Sequence, residues 1–160
     1  MRKDSGFSLV ELMTVIAILA ILAAIAIPSF ISWRGNSQLS RASRDVYSIL
    51  QKAKMEAIRR NENCAVTFNA NEYFIWIDSA GDFSYDGGEV VVSRVSWLNY
   101  PGVSLDNTTF DDPVDSIAFA PDGLPKKNGD VLGSGEITIS YKGDRKKTIE
   151  VLVAGSIRIK

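Results

Sequence analysis

The stretch that decides the fold is GFSLVELMTVIAILAILAAIAIP, residues 6–28. From Phe7 to Ile27 it holds twenty-one residues, nearly all of them apolar. As an α-helix with a rise of about 1.5 Å per residue, this run measures roughly 31 Å, the thickness of the hydrocarbon core of a bilayer. It predicts a transmembrane helix over residues 7–28.

The polar leader ahead of this run, residues 1–6, is short and ends in glycine. A secretory signal peptide is cleaved after its apolar core, whereas Gly6 precedes the core, so cleavage after Gly6 keeps the apolar segment on the mature chain. Arg2 and Lys3 favour a cytoplasmic N-terminus, because basic residues beside a span tend to stay inside. The pattern indicates a single-pass protein whose C-terminal part is exported.

Glu11 is the one charged residue inside the apolar run. At mid-bilayer a carboxylate would cost about 2.5 to 3.5 kcal/mol on insertion scales, and less near the edge. Two partners are available: the positive end of the helix dipole, and the α-amino group that cleavage before Phe7 would create, in this chain or in a neighbour. The alternative is a glutamate that reaches the cytoplasmic interface and has no specific partner.

The run Gly6-Phe7-Ser8-Leu9-Val10-Glu11, with Pro28 later, resembles the N-terminal signature of type IV pilin-like proteins, the pilins and pseudopilins. The resemblance implies that a prepilin peptidase cuts after Gly6 and methylates Phe7. It also implies that Glu11 helps to recruit the subunit into a helical filament, in which N-terminal helices pack together. The protein would then sit in the bacterial inner membrane with its head in the periplasm.

Residues 29–60 continue the helix with an amphipathic pattern. Small and aliphatic residues recur at steps of three and four, at Leu39, Ala42, Val46, Ile49, Leu50, Ala53 and Ala57. Arginines and lysines fall off this stripe, so one face of the helix is predicted to lie on a core.

Pro28 and Gly35 interrupt the helical pattern near the predicted membrane exit. Proline lacks a hydrogen-bond donor and clashes with the preceding turn, and glycine costs about 1 kcal/mol relative to alanine. They predict a kink or a locally melted stretch at this point. The alternative is that Pro28 ends the span and a separate helix follows.

From residue 61 the periodicity changes to that of β-strands, and residues 61–160 are predicted to form one β-rich head. Short β-branched or aromatic runs are separated by Gly, Asp and Asn, at residues 64–69, 73–78, 90–98, 116–120, 136–141 and 148–154. The turn Lys142 to Arg145 predicts an antiparallel hairpin between the last two. The single cysteine, Cys64, alternates with Val66 and Phe68 and is expected to be a buried thiol.

The head resembles, in looser motifs, the H-type minor pseudopilins of type II secretion and the FimT-like minor pilins. The matching features are the helix end at 56–61, the loop at 76–90, the turn at 119–123 and the strand that starts at Gly155. The resemblance implies an α+β fold, a long N-terminal helix packed on two antiparallel sheets. It implies a minor subunit that helps to assemble a type II secretion pseudopilus or a type IV pilus.

A DNA-binding minor pilin that acts in DNA uptake is the alternative function. Some FimT-like proteins bind DNA through a C-terminal Gly-Arg-x-Arg motif, and here serine replaces the first arginine in residues 155–160. The candidate cations are those of the basic turn and the tail: Arg145, Lys146, Lys147, Arg158 and Lys160. The head holds nine basic and fifteen acidic residues, so its charge would repel a polyanion outside that patch.

The sequence also bears on metal binding and on catalysis. Asp78, Asp82, Asp86 and Glu89 are expected to form a solvated acidic loop; because they offer oxygen ligands among glycines, though without EF-hand spacing, a calcium site is the alternative. Histidine is absent from the chain, which removes the commonest general base and zinc ligand. The sequence shows no nucleophile and base pair, phosphate loop or metal-ligand spacing, and the protein is expected to be no enzyme and to need no cofactor.

Overall fold

The computed structural model describes residues 8–110, 115–127 and 131–160. Its longest element is the α-helix α1, Leu9–Arg60. The chain divides into two compact units, Met1–Gly35 and Asn36–Lys160. Each unit is described by itself below.

In the first unit, α1 carries the apolar segment with its side chains uncovered. The large apolar residues from Leu9 to Ile31 are exposed, on every side of the helix. By length and composition, α1 is the one helix among the described residues that qualifies as a membrane span.

The helix continues without a break through Pro28 and Gly35. The locally melted stretch and the separate second helix, both weighed on the sequence, are therefore wrong. Proline removes one backbone hydrogen bond from the helix. Each further residue of a long helix adds a bond of its own, so the apolar turns on either side of Pro28 maintain the helix. A bend at Pro28 stays a prediction.

In the second unit, the predicted stripe is the buried face of α1. Leu39, Ala42, Val46, Ile49, Leu50, Ala53 and Ala57 are all buried. The off-stripe cations Arg41, Arg44, Lys52, Arg59 and Arg60 are exposed. The amphipathic prediction is confirmed.

Among the described residues, ten strands form two antiparallel sheets, which confirms the predicted fold class. The larger sheet has six strands in the order β3-β2-β1-β5-β6-β7, and the smaller has four in the order β10-β9-β8-β4. The strands of the larger sheet are β1 Asn63–Phe68, β2 Glu72–Asp78, β3 Val91–Ser96, β5 Ser116–Phe119, β6 Pro125–Lys127 and β7 Val131–Leu132. Those of the smaller are β4 Val103–Thr108, β8 Gly135–Tyr141, β9 Arg145–Val151 and β10 Ile157–Ile159.

The main core joins the α1 stripe to side chains from both sheets. Val46 and Leu50 belong to the same buried cluster as Ile75 of β2 and Ile139 of β8. Cys64 is also a fully buried member, as the alternation predicted. Burial raises the pKa of its thiol to about 12, which makes it inert at neutral pH.

The six predicted runs all contain strands, with some differences at their ends. The 90–98 run ends as a strand at Ser96, because a 3₁₀ turn at Trp97–Asn99 takes the chain away from the sheet. The predicted hairpin is β8–β9, with Tyr141 paired to Arg145, so its turn is one residue shorter than expected and β9 starts earlier. The sequence did not indicate β4, β6 or β7, whereas β10 corresponds to the expected last strand, which begins at Ile157 rather than at Gly155.

Gly155 shows why a glycine starts the last segment of the chain. Its φ is +75°, and a Cβ there would lie 2.7 Å from the carbonyl oxygen of Gly123. Its own carbonyl accepts a hydrogen bond of 2.9 Å from Lys54 Nζ. This turn thereby connects the end of α1 with the start of β10.

We expect residues 36–160 to fold alone and residues 61–160 to fail. The longer fragment keeps the α1 stripe, whereas the shorter one loses side chains such as Leu50, each worth roughly 1.5 to 3 kcal/mol when buried. A domain has about 5 to 15 kcal/mol in total. Circular dichroism and size-exclusion chromatography check both fragments, and a monomeric, cooperatively unfolding 61–160 would contradict the packing.

Candidate functional site

Glu11 lies in the first turn of α1, where the helix dipole stabilises a carboxylate. The amide of Leu12 donates to the carbonyl of Ser8 over 3.1 Å, which closes this turn. Ser8 and Glu11 also have the spacing of a capping box, a helix-start signal that was present in the sequence and not used. Gly6 and Phe7, the predicted processing site, lie outside the described residues.

The surface around Glu11 is apolar on all sides. Leu9, Val10, Leu12 and Met13 are each more than half exposed. Water is a poor solvent for such a surface, so this end of the helix is suited to lipid or to the helices of other subunits. In either setting Glu11 is the one acidic side chain of the described apolar segment and requires a partner charge or dipole.

The acidic loop, residues 78–90, is closed by its own carboxylates. Asp78 is buried at the end of β2 and accepts hydrogen bonds from the amides of Gly81 at 2.7 Å and Phe83 at 3.2 Å. Burial raises the pKa of Asp78, and the two amides oppose that shift. Asp82 accepts from the amide of Ser84, and Glu89 from that of Asp86.

The same loop covers an aromatic cluster on the second face of the larger sheet. Tyr85 packs on Phe74 and Trp76, with ring centroids 4.9 and 5.5 Å apart. Phe83 also packs against this cluster. Its backbone has a φ of 60°, which residues other than glycine rarely adopt. The hydrogen bonds of Asp78 therefore stabilise a strained loop that covers this face of the sheet.

The structure does not gather the four candidate calcium ligands. In the part of the chain that the structure describes, no three metal-binding side chains lie close enough to hold an ion. Each hydrogen bond described above uses a carboxylate oxygen for loop closure instead. Calcium binding stays an untested alternative, and the described residues hold no preformed site for it.

The five candidate DNA-binding cations lie on two faces of the smaller sheet. Along β9, Arg145 and Lys147 share the face of Ile149, which belongs to the main core. Arg145 donates to Asn36 of α1 over 3.0 Å. Strand alternation places Lys146 on the opposite, outer face, which β10 shares through the pairing of Arg158 with Glu150.

The three cations of the outer face contact carboxylates. Lys146 forms an ion pair with Asp106 at 2.7 Å, Arg158 with Glu150, and Lys160 with Glu136 at 2.8 Å and with Glu150 at 3.2 Å. The hydrogen bond from Arg158 holds the pKa of Glu150 below its usual range, and Lys160 adds to this effect. The outer face is a mixed-charge surface, which offers a polyanion little net attraction.

A polar cleft of about 370 Å³ lies between α1, β2 and the 3₁₀ turn. At its base Tyr100 donates a hydrogen bond to Asp45, and Tyr73 is fully buried beside them. Burial raises the pKa of both tyrosines above its ordinary value. These groups support packing between the helix and the sheet rather than proton transfer.

Two family models match the sequence. The model described as "Type II transport protein GspH" matches residues 42–156. The model described as "Prokaryotic N-terminal methylation motif" matches residues 1–27.

Known proteins that resemble this chain in sequence agree with these models. A fimbrial protein of Pseudomonas aeruginosa is 31% identical over 144 residues, which cover 90% of this chain and 83% of the relative. The pilin-like protein PilA1 of Thermus thermophilus is 30% identical over 126 residues, 76% of this chain and 80% of the relative.

Two solved structures share the fold. The type IV minor pilin FimU of Pseudomonas aeruginosa has a TM-score of 0.62 at 14% identity, covering 78% of this chain and 90% of that one. The minor pseudopilin EpsH of the type 2 secretion system of Vibrio cholerae has a TM-score of 0.57 at 14% identity, covering 77% and 96%. At this identity the likeness is one of fold.

We predict that Asp78→Ala lowers the free energy of unfolding by roughly 1 to 3 kcal/mol, because two amides lose their acceptor. Asp86→Ala is the matched control from the same loop. It removes an exposed carboxylate and should change stability by no more than about 0.5 kcal/mol. Urea unfolding measures both.

A calcium site would give a different pattern. A site with a Kd of 10 µM would add about 2.7 kcal/mol in 1 mM calcium, which corresponds to a rise in Tm of roughly 10 °C. We expect no shift. A shift abolished by Asp86→Ala would contradict the loop-closure account.

Proposed function

Because this chain belongs to the GspH family of type IV pilin-like proteins, we propose that it is made as a prepilin, inserted in the inner membrane and processed before assembly. It is a minor pilin or pseudopilin of a type IV pilus or type II secretion system. Such proteins are structural subunits rather than enzymes. In the proposal the head is periplasmic and the N-terminus starts in the cytoplasm.

The observation that carries the proposal is the uncovered apolar surface of α1. The large apolar residues from Leu9 to Ile31 are exposed, while the stripe that starts at Leu39 is buried. Such a surface is stable in lipid before assembly and among other apolar helices afterwards. The partners in this proposal are therefore the membrane, a prepilin peptidase and the N-terminal helices of other subunits.

Glu11 is proposed to set the register of assembly. In lipid its carboxylate is costly, so a cationic partner from another subunit lowers the free energy of the assembled state. The α-amino group that cleavage at Gly6 would create is the cation of that region. In a filament, the amine at Phe7 of one subunit would meet Glu11 of the next.

The proposal does not extend to DNA uptake. Among the candidate cations, Arg145 and Lys147 lie on the core face, and the outer three contact carboxylates. No feature of the described head would attract a polyanion strongly enough to offset the repulsion from its acidic residues.

Processing is tested by mass spectrometry of the protein from its native host. We expect loss of the six-residue leader and a methyl group on the amine of Phe7, because Gly6 ends the leader and Phe7 opens the span. Protein from a host strain without its prepilin peptidase is the control and should keep the leader. A mature protein that begins at Met1 would contradict the proposal.

Glu11→Val tests the pairing. The variant should insert in membranes at least as well as the wild type, because a charge leaves the lipid, but its share of the sheared filament fraction should fall several-fold. Immunoblots of membrane and sheared fractions give both values. Thr14→Val is the matched control, since Thr14 is exposed one turn along and its hydroxyl bonds only to the carbonyl of Val10 among the described contacts.

Two outcomes bear on the pairing separately. Normal incorporation of Glu11→Val would show that the carboxylate has no essential partner. Equal loss in Thr14→Val would show that the defect follows from any change to this helix face.

A further inference from the structure

Two aromatic rings lie side by side on α1 just beyond the apolar run. Phe30 and Trp33 have ring centroids 5.9 Å apart, with an angle of 34° between the planes. They are 61% and 64% exposed, and the exposed Arg34 follows directly. The other two tryptophans, Trp76 and Trp97, are 0% and 4% exposed within the head.

The position of this pair along the helix coincides with the edge of a bilayer. With the hydrocarbon core filled by residues 7–27, Phe30 lies about 4.5 Å and Trp33 about 9 Å beyond the core along the helix axis. The headgroup layer on each side is roughly 5 to 7.5 Å thick. Helix side chains lean toward the N-terminus, so the indole reaches back into that layer.

We propose that Phe30 and Trp33 form an interfacial anchor that binds the headgroup region of the outer, periplasmic leaflet. Aromatic rings with a polar edge favour this layer, where the ring carbons meet acyl chains and the indole N–H meets headgroup oxygens. Arg34 follows where phospholipid phosphates lie and adds a charge-assisted contact to them. The anchor fixes the depth of the helix in the bilayer.

Phospholipid fits this pair better than a protein partner. The large residues before it are apolar on every side of the helix, as lipid requires. Only two small serines, Ser29 and Ser32, lie beside the rings, and charged and amide side chains begin directly after the pair with Arg34 and Asn36. A bilayer changes from apolar acyl chains to charged headgroups within a few ångströms, and the ring pair lies at the corresponding boundary of the helix. The inference rests on the membrane insertion in the proposed function.

The test uses the full mature chain in vesicles of phosphatidylcholine and phosphatidylglycerol. Part of the lipid carries bromine, either high on the acyl chain near the headgroups or close to the bilayer centre. Trp76 and Trp97 are buried in the head and serve as an internal reference. Trp33→Phe keeps an aromatic ring and isolates the emission of Trp33 as the difference between the two proteins.

The expected result is loss of the Trp33 emission with the shallow bromine, a smaller loss with the deep bromine, and no quenching of the Trp33→Phe protein. Equal quenching by aqueous acrylamide with and without vesicles, or stronger quenching by deep bromine, would overturn the anchor. Vesicle flotation reports insertion independently. A chain that floats without shallow quenching refutes the anchor alone, whereas one that does not float refutes the membrane step and the anchor together.

Discussion

The apolar half of α1 exposes its large side chains among the described residues, and the rest of the molecule depends on that constraint. Its large side chains are exposed from Leu9 to Ile31. Each is worth roughly 1.5 to 3 kcal/mol when fully buried, so leaving the whole set in water costs more than the 5 to 15 kcal/mol that stabilise a domain. The segment must therefore be solvated by lipid or by other helices. In the proposed function, this helix passes from a membrane into an assembly.

One continuous helix thus serves two environments, and its sequence changes pattern between them. Before residue 28 the apolar residues occupy every side, as suits lipid or a filament core. After residue 38 most of them lie on the buried stripe from Leu39 to Ala57, and the solvent side holds the cations together with the exposed Met55 and Ile58. The head needs only the stripe: both sheets and the stripe contribute to one buried cluster. The part that assembles and the part that folds are therefore encoded by separate stretches of the same element.

The strongest periodic signals predicted the fold well. A period of 3.6 residues predicted the stripe, and a period of 2 residues predicted the β8–β9 hairpin. Both segments are long enough for the period to remain clear despite single exceptions. Strand β4 was not indicated because a register shift between Leu105 and Asn107 breaks its alternation, and β6 and β7 are too short to show a period. Calcium remained an alternative for the acidic loop because residue types alone do not reveal that Asp78 accepts hydrogen bonds from two backbone amides. The sequence did hold a signal against one shared DNA-binding face. Arg145 and Lys147 alternate in phase with Ile149, which places them on the core side of β9.

The most direct test of the two environments is a nitroxide scan along α1 in vesicles at a low protein-to-lipid ratio. Single cysteines at residues 12–27 and 39–57, in a Cys64→Ala background, report collision rates with oxygen and with a water-soluble nickel complex. The account predicts that oxygen collisions exceed nickel collisions at every position of the first range, without a helical period. In the second range both rates should fall at every third or fourth residue. A face of residues 12–27 shielded from both reagents with a period of 3.6 would contradict it, because the chain would then be covering its own apolar helix.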